Sequence, residues 1–366
     1  MNITVVSLWA HKLFNPAESQ PFGGAEIQLF LLSEELARRS DVRIRFITRG
    51  SGPPETFTCN EMQVYKLAHR PTSFGRAFRG TWDLFQTLIS LDTDCFIQRG
   101  GGIETGLTGF ASRWSGKPFL FMTSSIWDVD GTHSGKRGLF YGSMYKFGLH
   151  RAAWVVSQTQ IQSKLLLQNY GVKNTVLHSV HRIPETIPSE KSGVLWVGRC
   201  EPLKRPEALL RLAEATPALS FTMVCPEANS RDYFEQITQR ASALKNLVFL
   251  PGVSFEETEQ LFARHRLYLN TSDTEGFPNT YVQAFKWGTP VVSLFINPDQ
   301  ILTANQIGIC TDGDETALQA AVLGLYRNDR EWQEYSCRAR DYAWENHDVK
   351  TIAEQLYRII QKTVQP

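Results

Sequence analysis

No stretch of the 366-residue chain holds the roughly 18 consecutive apolar residues that a membrane-crossing helix requires, and no basic region precedes the first apolar run, Ile3-Thr4-Val5-Val6. A cytosolic protein is expected. Cysteine is scarce: Cys59, Cys95, Cys200, Cys225, Cys310 and Cys337 are scattered with no Cys-x-x-Cys pair, which argues against a structural zinc or a disulfide framework and for a reduced intracellular setting. His178 and His181 stand close in sequence but have no third ligand nearby, so packing rather than metal binding is expected of them. Net charge is close to absent, at +1.

That near-neutrality conceals an asymmetry. Residues 1–185 carry 20 Lys and Arg against 14 Asp and Glu, whereas residues 186–366 carry 18 against 23. The basic residues of the first half are dispersed and no nucleic-acid recognition module is present, so a nucleic-acid partner is not expected; an anionic membrane surface or a phospholipid-linked acceptor suits the charge better, beside an ordinary surface composition. Lys66 to Trp82 interleaves Lys66, His69, Arg70, Arg76 and Arg79 with Phe74, Phe78 and Trp82, a composition fit for an interfacial segment or for a solvated helix face.

The length exceeds one ordinary core and predicts two domains. Strand-like apolar runs alternate with helical periodicity throughout, the pattern of parallel α/β sheets. In the first half, Ile3 to Leu8 reads as a strand, Gly23-Gly24 as a tight turn and Ile27 to Arg39 as a helix. That unit lets backbone approach a ligand phosphate, or merely packs a helix on a strand. Arg99-Gly100-Gly101-Gly102 lacks the Gly-x-Gly-x-x-Gly spacing of a dinucleotide loop, so a nicotinamide cofactor is not expected. In the loop after strand Pro118 to Met122, Asp128, Asp130 and His133 are acceptor-side candidates, although loop capping is the role expected of them first. Arg182 to Ser192, with Pro184 and Pro188, reads as the interdomain hinge.

The second half holds two concentrated signals. Gly193 to Val197 is an apolar strand running into Gly198-Arg199-Cys200-Glu201-Pro202-Leu203-Lys204, a basic turn before a helix. Arg199 and Lys204 there suit a diphosphate, Arg as a fixed fork of donors and Lys as a mobile charge, unless they form an ordinary surface turn. Further on, Leu267 to Asn270 reads as a buried strand that places Glu275 just past its carboxyl end. Gly276-Phe277-Pro278-Asn279 then opens a helix, with Pro278 in its first turn and Asn279 or Thr280 as its cap, so that backbone N–H groups face an anion.

Glu275-Gly276-Phe277-Pro278, with Gly198-Arg199 and Lys204, resembles the signature of the retaining glycosyltransferases of family 4. The resemblance implies the GT-B fold: two Rossmann-like, doubly wound parallel-sheet domains facing each other across a cleft. It implies residues 1–182 as the acceptor-side domain, 191–347 as the donor domain, and 348–366 as a helix crossing back to the first domain. Arg199 and Lys204 would hold the two phosphates of a nucleotide-sugar, Glu275 the donor sugar, Gly23 and Gly24 the diphosphate, and backbone near Gly252 the base. The family pattern is Glu, seven residues, Glu; this sequence has Gln283 at the second position, where the family's carboxylate contacts the ribose.

The implied reaction is sugar transfer from a nucleotide-sugar to a hydroxyl acceptor, a glycan or lipid-linked saccharide of surface polysaccharide synthesis, with retention of configuration and without metal or organic cofactor. A sugar-nucleotide epimerase of the same fold, or a degenerate subunit that binds nucleotide-sugar without transfer, are the competing readings.

Overall fold

The computed structural model describes residues 1–15, 17–18, 23–68, 74–132 and 138–364, with the side chains of residues 74–79 outside the description. The chain divides into two compact units: Met1–Val180 together with Val349–Pro366, and His181–Asp348.

The first unit is built on an eight-stranded sheet. Its strands are β1 (Asn2–Val6), β2 (Arg43–Gly50), β3 (Glu55–Cys59), β4 (Met62–Ala68), β5 (Cys95–Arg99), β6 (Phe119–Met122), β7 (Trp154–Ser157) and β8 (Thr175–Val176). The order is β3-β4-β2-β1-β5-β6-β7-β8, parallel except where β3 meets β4. Strand residues read as near-continuous apolar runs because both faces are covered. Side chains alternate between two cores: Val5, Phe46 and Ile97 face one, while Val6, Ile47 and Phe96 face the other.

The first core is covered by α1 (Gly24–Ala37), through Leu29, Leu32 and Leu36, and by the last helix of the chain (Val349–Val364), through Ile352, Leu356 and Ile360. That last helix is tied down further. Arg39 pairs with Glu354 at 2.9 Å and lies 3.7 Å over the Tyr357 ring, and the Tyr357 hydroxyl donates to Asp41. The second core is covered by α2 (Phe74–Ser90), α3 (Ile103–Ser115), α4 (Leu139–Arg151) and α5 (Gln160–Tyr170).

The β3–β4 hairpin was not foreseen from the sequence, and it removes Lys66 from any interfacial role. Lys66 sits on β4 with only 8% of its side chain exposed, 3.1 Å from Glu55 and donating to the Ser51 carbonyl. His69 and Arg70 lie outside the described residues.

The second unit carries a six-stranded parallel sheet. Its strands are β9 (Val194–Val197), β10 (Phe221–Val224), β11 (Leu247–Leu250), β12 (Leu267–Asn270), β13 (Val291–Ser293) and β14 (Gly308–Cys310), in the order β11-β10-β9-β12-β13-β14. Chain order reverses between β9 and β12, so the loops after these two strands emerge side by side. The segment read as a hinge belongs to this unit: Ile183 is in its core and Arg340 donates to the Pro184 and Glu185 carbonyls. The unit begins at His181, whose N–H donates to the His347 carbonyl at 2.9 Å.

Candidate active site

In the second unit the switch point joins the two strongest sequence signals. The loop after β9 tightens into a single turn, Pro202–Lys204, which ends at Arg205 in the left-handed region (φ 47°). The loop after β12 is laced to that turn. Buried Trp196 donates to the Thr271 hydroxyl at 2.9 Å, Thr271 donates to the Lys204 carbonyl at 2.7 Å, and the Asp273 N–H donates to the Leu203 carbonyl at 2.9 Å. Lys204 Nζ is thereby held 2.9 Å from Glu275 Oε1, and both side chains remain partly accessible. Asn270, the last residue of β12, donates its amide to the same carboxylate oxygen at 3.2 Å.

The helix beneath, Asn279–Lys286, starts one residue later than the sequence suggests. Pro278 is the residue before the helix, and no side chain caps it. Neither Asn279 nor Thr280 therefore fills the cap position. Phe277 is buried and its ring lies 5.4 Å from that of His347, which seats the Glu-Gly-Phe-Pro turn on the core. Asn279 Oδ1 is buried without a partner. An uncapped helix start beside a cation is where backbone amides bind an anion.

Arg199 does not join this group. Its side chain is 66% exposed and pairs with Glu201 at 3.0 Å, so Lys204 is the cation on Glu275. Gln283 also has a defined place. Its amide donates to Glu259 Oε1 at 2.9 Å, while Glu259 Oε2 accepts from Trp287 at 3.0 Å and meets Lys286 Nζ at 2.5 Å. Burial holds the Lys286 ammonium below its usual range, and Glu259 opposes that shift. Glu259 sits on the preceding helix, Phe255–Arg264, and sequence reasoning missed it: the Ser254–Glu257 capping box locates that helix but says nothing of which side chain meets Gln283. Gly252 lies between β11 and this helix, where an added Cβ would meet only the Pro226 side chain, at 4.0 Å.

In the first unit, a crevice of about 310 Å³ at the carboxyl ends of β1 and β5 is lined by Trp9, Glu26, Arg99, Glu104, Ser124 and Tyr141, among others. Gly23 precedes α1 and its N–H is already taken by Glu26 Oε2 at 2.8 Å. Asp128 does not line the crevice; it builds it. Its buried carboxylate accepts from the N–H of Gly101 (3.0 Å), the N–H (2.6 Å) and hydroxyl (2.9 Å) of Ser124, and the N–H of Ser125 (3.1 Å). Asp130 accepts from the Thr132 N–H and hydroxyl at 2.8 and 2.7 Å. Asp128 and Asp130 thus both tie down loop backbone, and His133, the third acceptor-side candidate, lies outside the described residues. Arg99 is buried under the crevice, and burial draws its pKa down to about 10 against the pull of Glu26 and Asp128.

Among the described residues no cluster of three or more His, Cys, Asp or Glu is arranged to hold a metal ion, and no helix is long and apolar enough to cross a membrane.

Two mainly parallel sheets, each covered by helices, with the site at the switch point of the second, define a Rossmann-like pair of domains. Solved structures agree. The fold is similar to sucrose-phosphate synthase from Thermosynechococcus elongatus, with TM-score 0.77 and 17% identity over 99% of this chain and 98% of that one. It is also similar to trehalose-6-phosphate synthase OtsA, with TM-score 0.75 and 12% identity over 99% of each.

Residues 191–328 match the family model "Glycosyl transferases group 1". The matched stretch lies within the second unit, and the chain has the two-domain GT-B fold. Among curated proteins it is similar to D-inositol 3-phosphate glycosyltransferase of Nocardioides sp., 25% identical over 241 residues, 55% of this chain and 53% of that protein. The enzyme of the same name from Mycolicibacterium smegmatis is 27% identical over 134 residues, 35% of this chain and 31% of that one. The chain spans about half the length, or less, of these relatives.

Proposed function

We propose that the protein transfers a sugar from a nucleoside diphosphate sugar to a hydroxyl acceptor, with retention of configuration. The observation that carries this reading is the Lys204–Glu275 pair at 2.9 Å beside the uncapped start of the helix at Asn279. Cleaving a sugar–phosphate bond leaves negative charge on the diphosphate, and a mobile ammonium with backbone amides aimed at one point stabilises that charge as it develops. Arg199, largely exposed, swings from Glu201 to add a bidentate contact once the diphosphate is seated. Glu275, released from Lys204, accepts from hydroxyls of the transferred sugar. On this reading neither a metal nor an organic cofactor is needed, because side chain and helix supply the positive charge.

Relatives and neighbours suggest what to try first. One neighbouring structure, of a trehalose-6-phosphate enzyme from E. coli, is described as bound with UDP-2-fluoro glucose, and another, of TarM from S. aureus, as a complex with UDP. Calorimetry against UDP, GDP, ADP and their sugars, with NAD as control, identifies the base. Product analysis with D-inositol 3-phosphate, sugar phosphates and lipid-linked saccharides as acceptors then identifies the reaction. Saturable binding of one nucleoside diphosphate, weakened in Lys204→Ala and Arg199→Ala, is expected. Binding of none, or conversion of the donor sugar without any acceptor, would overturn the transferase reading.

A further inference from the structure

A groove on the first unit shares no lining residue with the crevice at β1 and β5. It measures about 610 Å³ and runs between α2 and α3 on the first unit, lined by Trp82, Phe85, Leu107, Phe110, Arg113 and Trp114. Its aromatic walls are open to solvent: Trp114 is 76% exposed, Trp82 53% and Phe110 43%. Phe110 stacks on Phe147 of α4 with ring centroids 4.2 Å apart, so the apolar surface continues onto the next helix. A contiguous apolar patch of this kind on a folded surface marks a contact with another phase or partner.

Charge chooses the occupant. Three helices of this layer, α2, α3 and α4, carry five Lys and Arg (Arg76, Arg79, Arg113, Lys146, Arg151) against two acidic residues (Asp83, Glu104). Arg113, on the groove itself, has no acidic partner among the described residues. Exposed tryptophan beside unpaired arginine is the composition of a surface that sits at the head-group level of a bilayer, with rings among the upper acyl chains and guanidinium groups on lipid phosphates.

We propose that the α2–α3 groove docks the protein on an anionic phospholipid membrane, Trp82, Phe110 and Trp114 entering the interface and Arg113 pairing with phosphate. This docking stands apart from the transferase reading, since it uses no residue of the Lys204–Glu275 site.

The test is co-sedimentation of the full chain with vesicles of phosphatidylcholine alone and of phosphatidylcholine mixed with phosphatidylglycerol, with tryptophan emission recorded. The wild type is expected to bind the mixed vesicles, with a blue shift, and to be released by salt. Trp114→Ala should weaken binding about tenfold, the loss of one inserted ring. Arg113→Gln should weaken it about fivefold, the share of one cation at the surface. Both positions are on the surface, and unchanged circular dichroism and nucleotide affinity would confirm the fold of each variant. Binding to neither vesicle, or equal binding to both that Trp114→Ala leaves unchanged, would overturn the proposal. So would a lipid-independent dimer that Trp114→Ala dissolves, because the groove would then be an interface between copies.

Discussion

The Gln283 amide donates to the Glu259 carboxylate at 2.9 Å. Where the resemblance leads one to expect a carboxylate there is an amide, and the carboxylate stands one side chain away on the neighbouring helix. Glu259 is mostly buried and also held by Lys286 and Trp287.

This arrangement reverses the simplest expectation for restoring the family pattern. Gln283→Glu would take a donor from Glu259 and set a second carboxylate against it inside the protein. We expect a loss of about 1 to 3 kcal/mol near neutral pH, from the lost hydrogen bond and the like charges. The introduced repulsion raises the carboxylate pKa in the folded state, so the loss shrinks as pH falls and one of the pair takes up a proton. Urea unfolding of both forms at neutral and acidic pH checks this; a variant as stable as wild type would show that the pair is not closed in solution.

Removing the cation of the same cluster should cost more. Lys286→Met leaves Glu259 buried without its ammonium, and about 3 kcal/mol of destabilisation is expected. Pairing Lys286→Met with Glu259→Gln should recover a good part of that loss. A double-mutant cycle with no coupling would remove the cluster's structural role.

At the proposed donor site, the two partners of the ion pair should separate by assay. Glu275→Ala is expected to keep nucleoside diphosphate binding within about twofold while removing most transfer, since it acts on the sugar. Lys204→Ala should weaken diphosphate binding by about tenfold or more, the share of one charged contact. Arg199→Ala should weaken binding too, yet change the stability of the free protein by less than about 1 kcal/mol, because the Arg199 side chain is itself largely exposed. Calorimetry and thermal melts decide, and equal loss of diphosphate binding in the Glu275 and Lys204 variants would undo the assignment of roles.

Asp128 gives a prediction of the opposite kind. With four donors on its carboxylate, Asp128→Ala should lower stability by about 3 kcal/mol or more and disorder both loops of the first-unit crevice. A variant that melts like wild type but fails in transfer would make Asp128 a participant in the reaction and not a cap.

Acid should weaken the fold through its buried histidines. His181 is buried with its pKa driven well below the ordinary value, mainly by burial and then by Lys286, and burial also lowers that of His265. Their depressed values mean that the neutral forms stabilise the fold above pH of about 6.5, and that this contribution is lost as pH falls below it. Each such group should remove about 1.4 kcal/mol per pH unit over that range until it protonates in the folded state. Unfolding free energies at pH of about 7.5 and about 5.5 should differ accordingly, and His181→Asn should flatten the dependence.

Much of this was legible in the sequence, for identifiable reasons. Strands buried on both faces leave apolar runs such as Val194 to Val197 and Leu267 to Asn270, and the turn residues between them mark each loop. The Glu-Gly-Phe-Pro turn could be placed because a short apolar strand fixes its position and Phe277 anchors it. The β3–β4 hairpin was not legible, since its outer strand Glu55–Cys59 is largely solvated and carries no clean alternation. The partners of Asp128 and Glu259 were hidden. A carboxylate in a loop looks the same whether it faces a ligand or ties down backbone.

By itself the sequence determined the α/β class, the strand that leads to Glu275, the basic turn holding Lys204 and the missing second carboxylate, all of which depend on residues near one another in the chain. Only the tertiary structure decided which of these groups meet. Lys204 reaches Glu275 because Thr271 and Asp273 bind the turn across two strands, whereas Arg199, a few residues away, faces solvent. Glu259 answers Gln283 from another helix. Contacts between distant segments depend on strand order and on side-chain packing summed over the whole core, and no local stretch of residues encodes either.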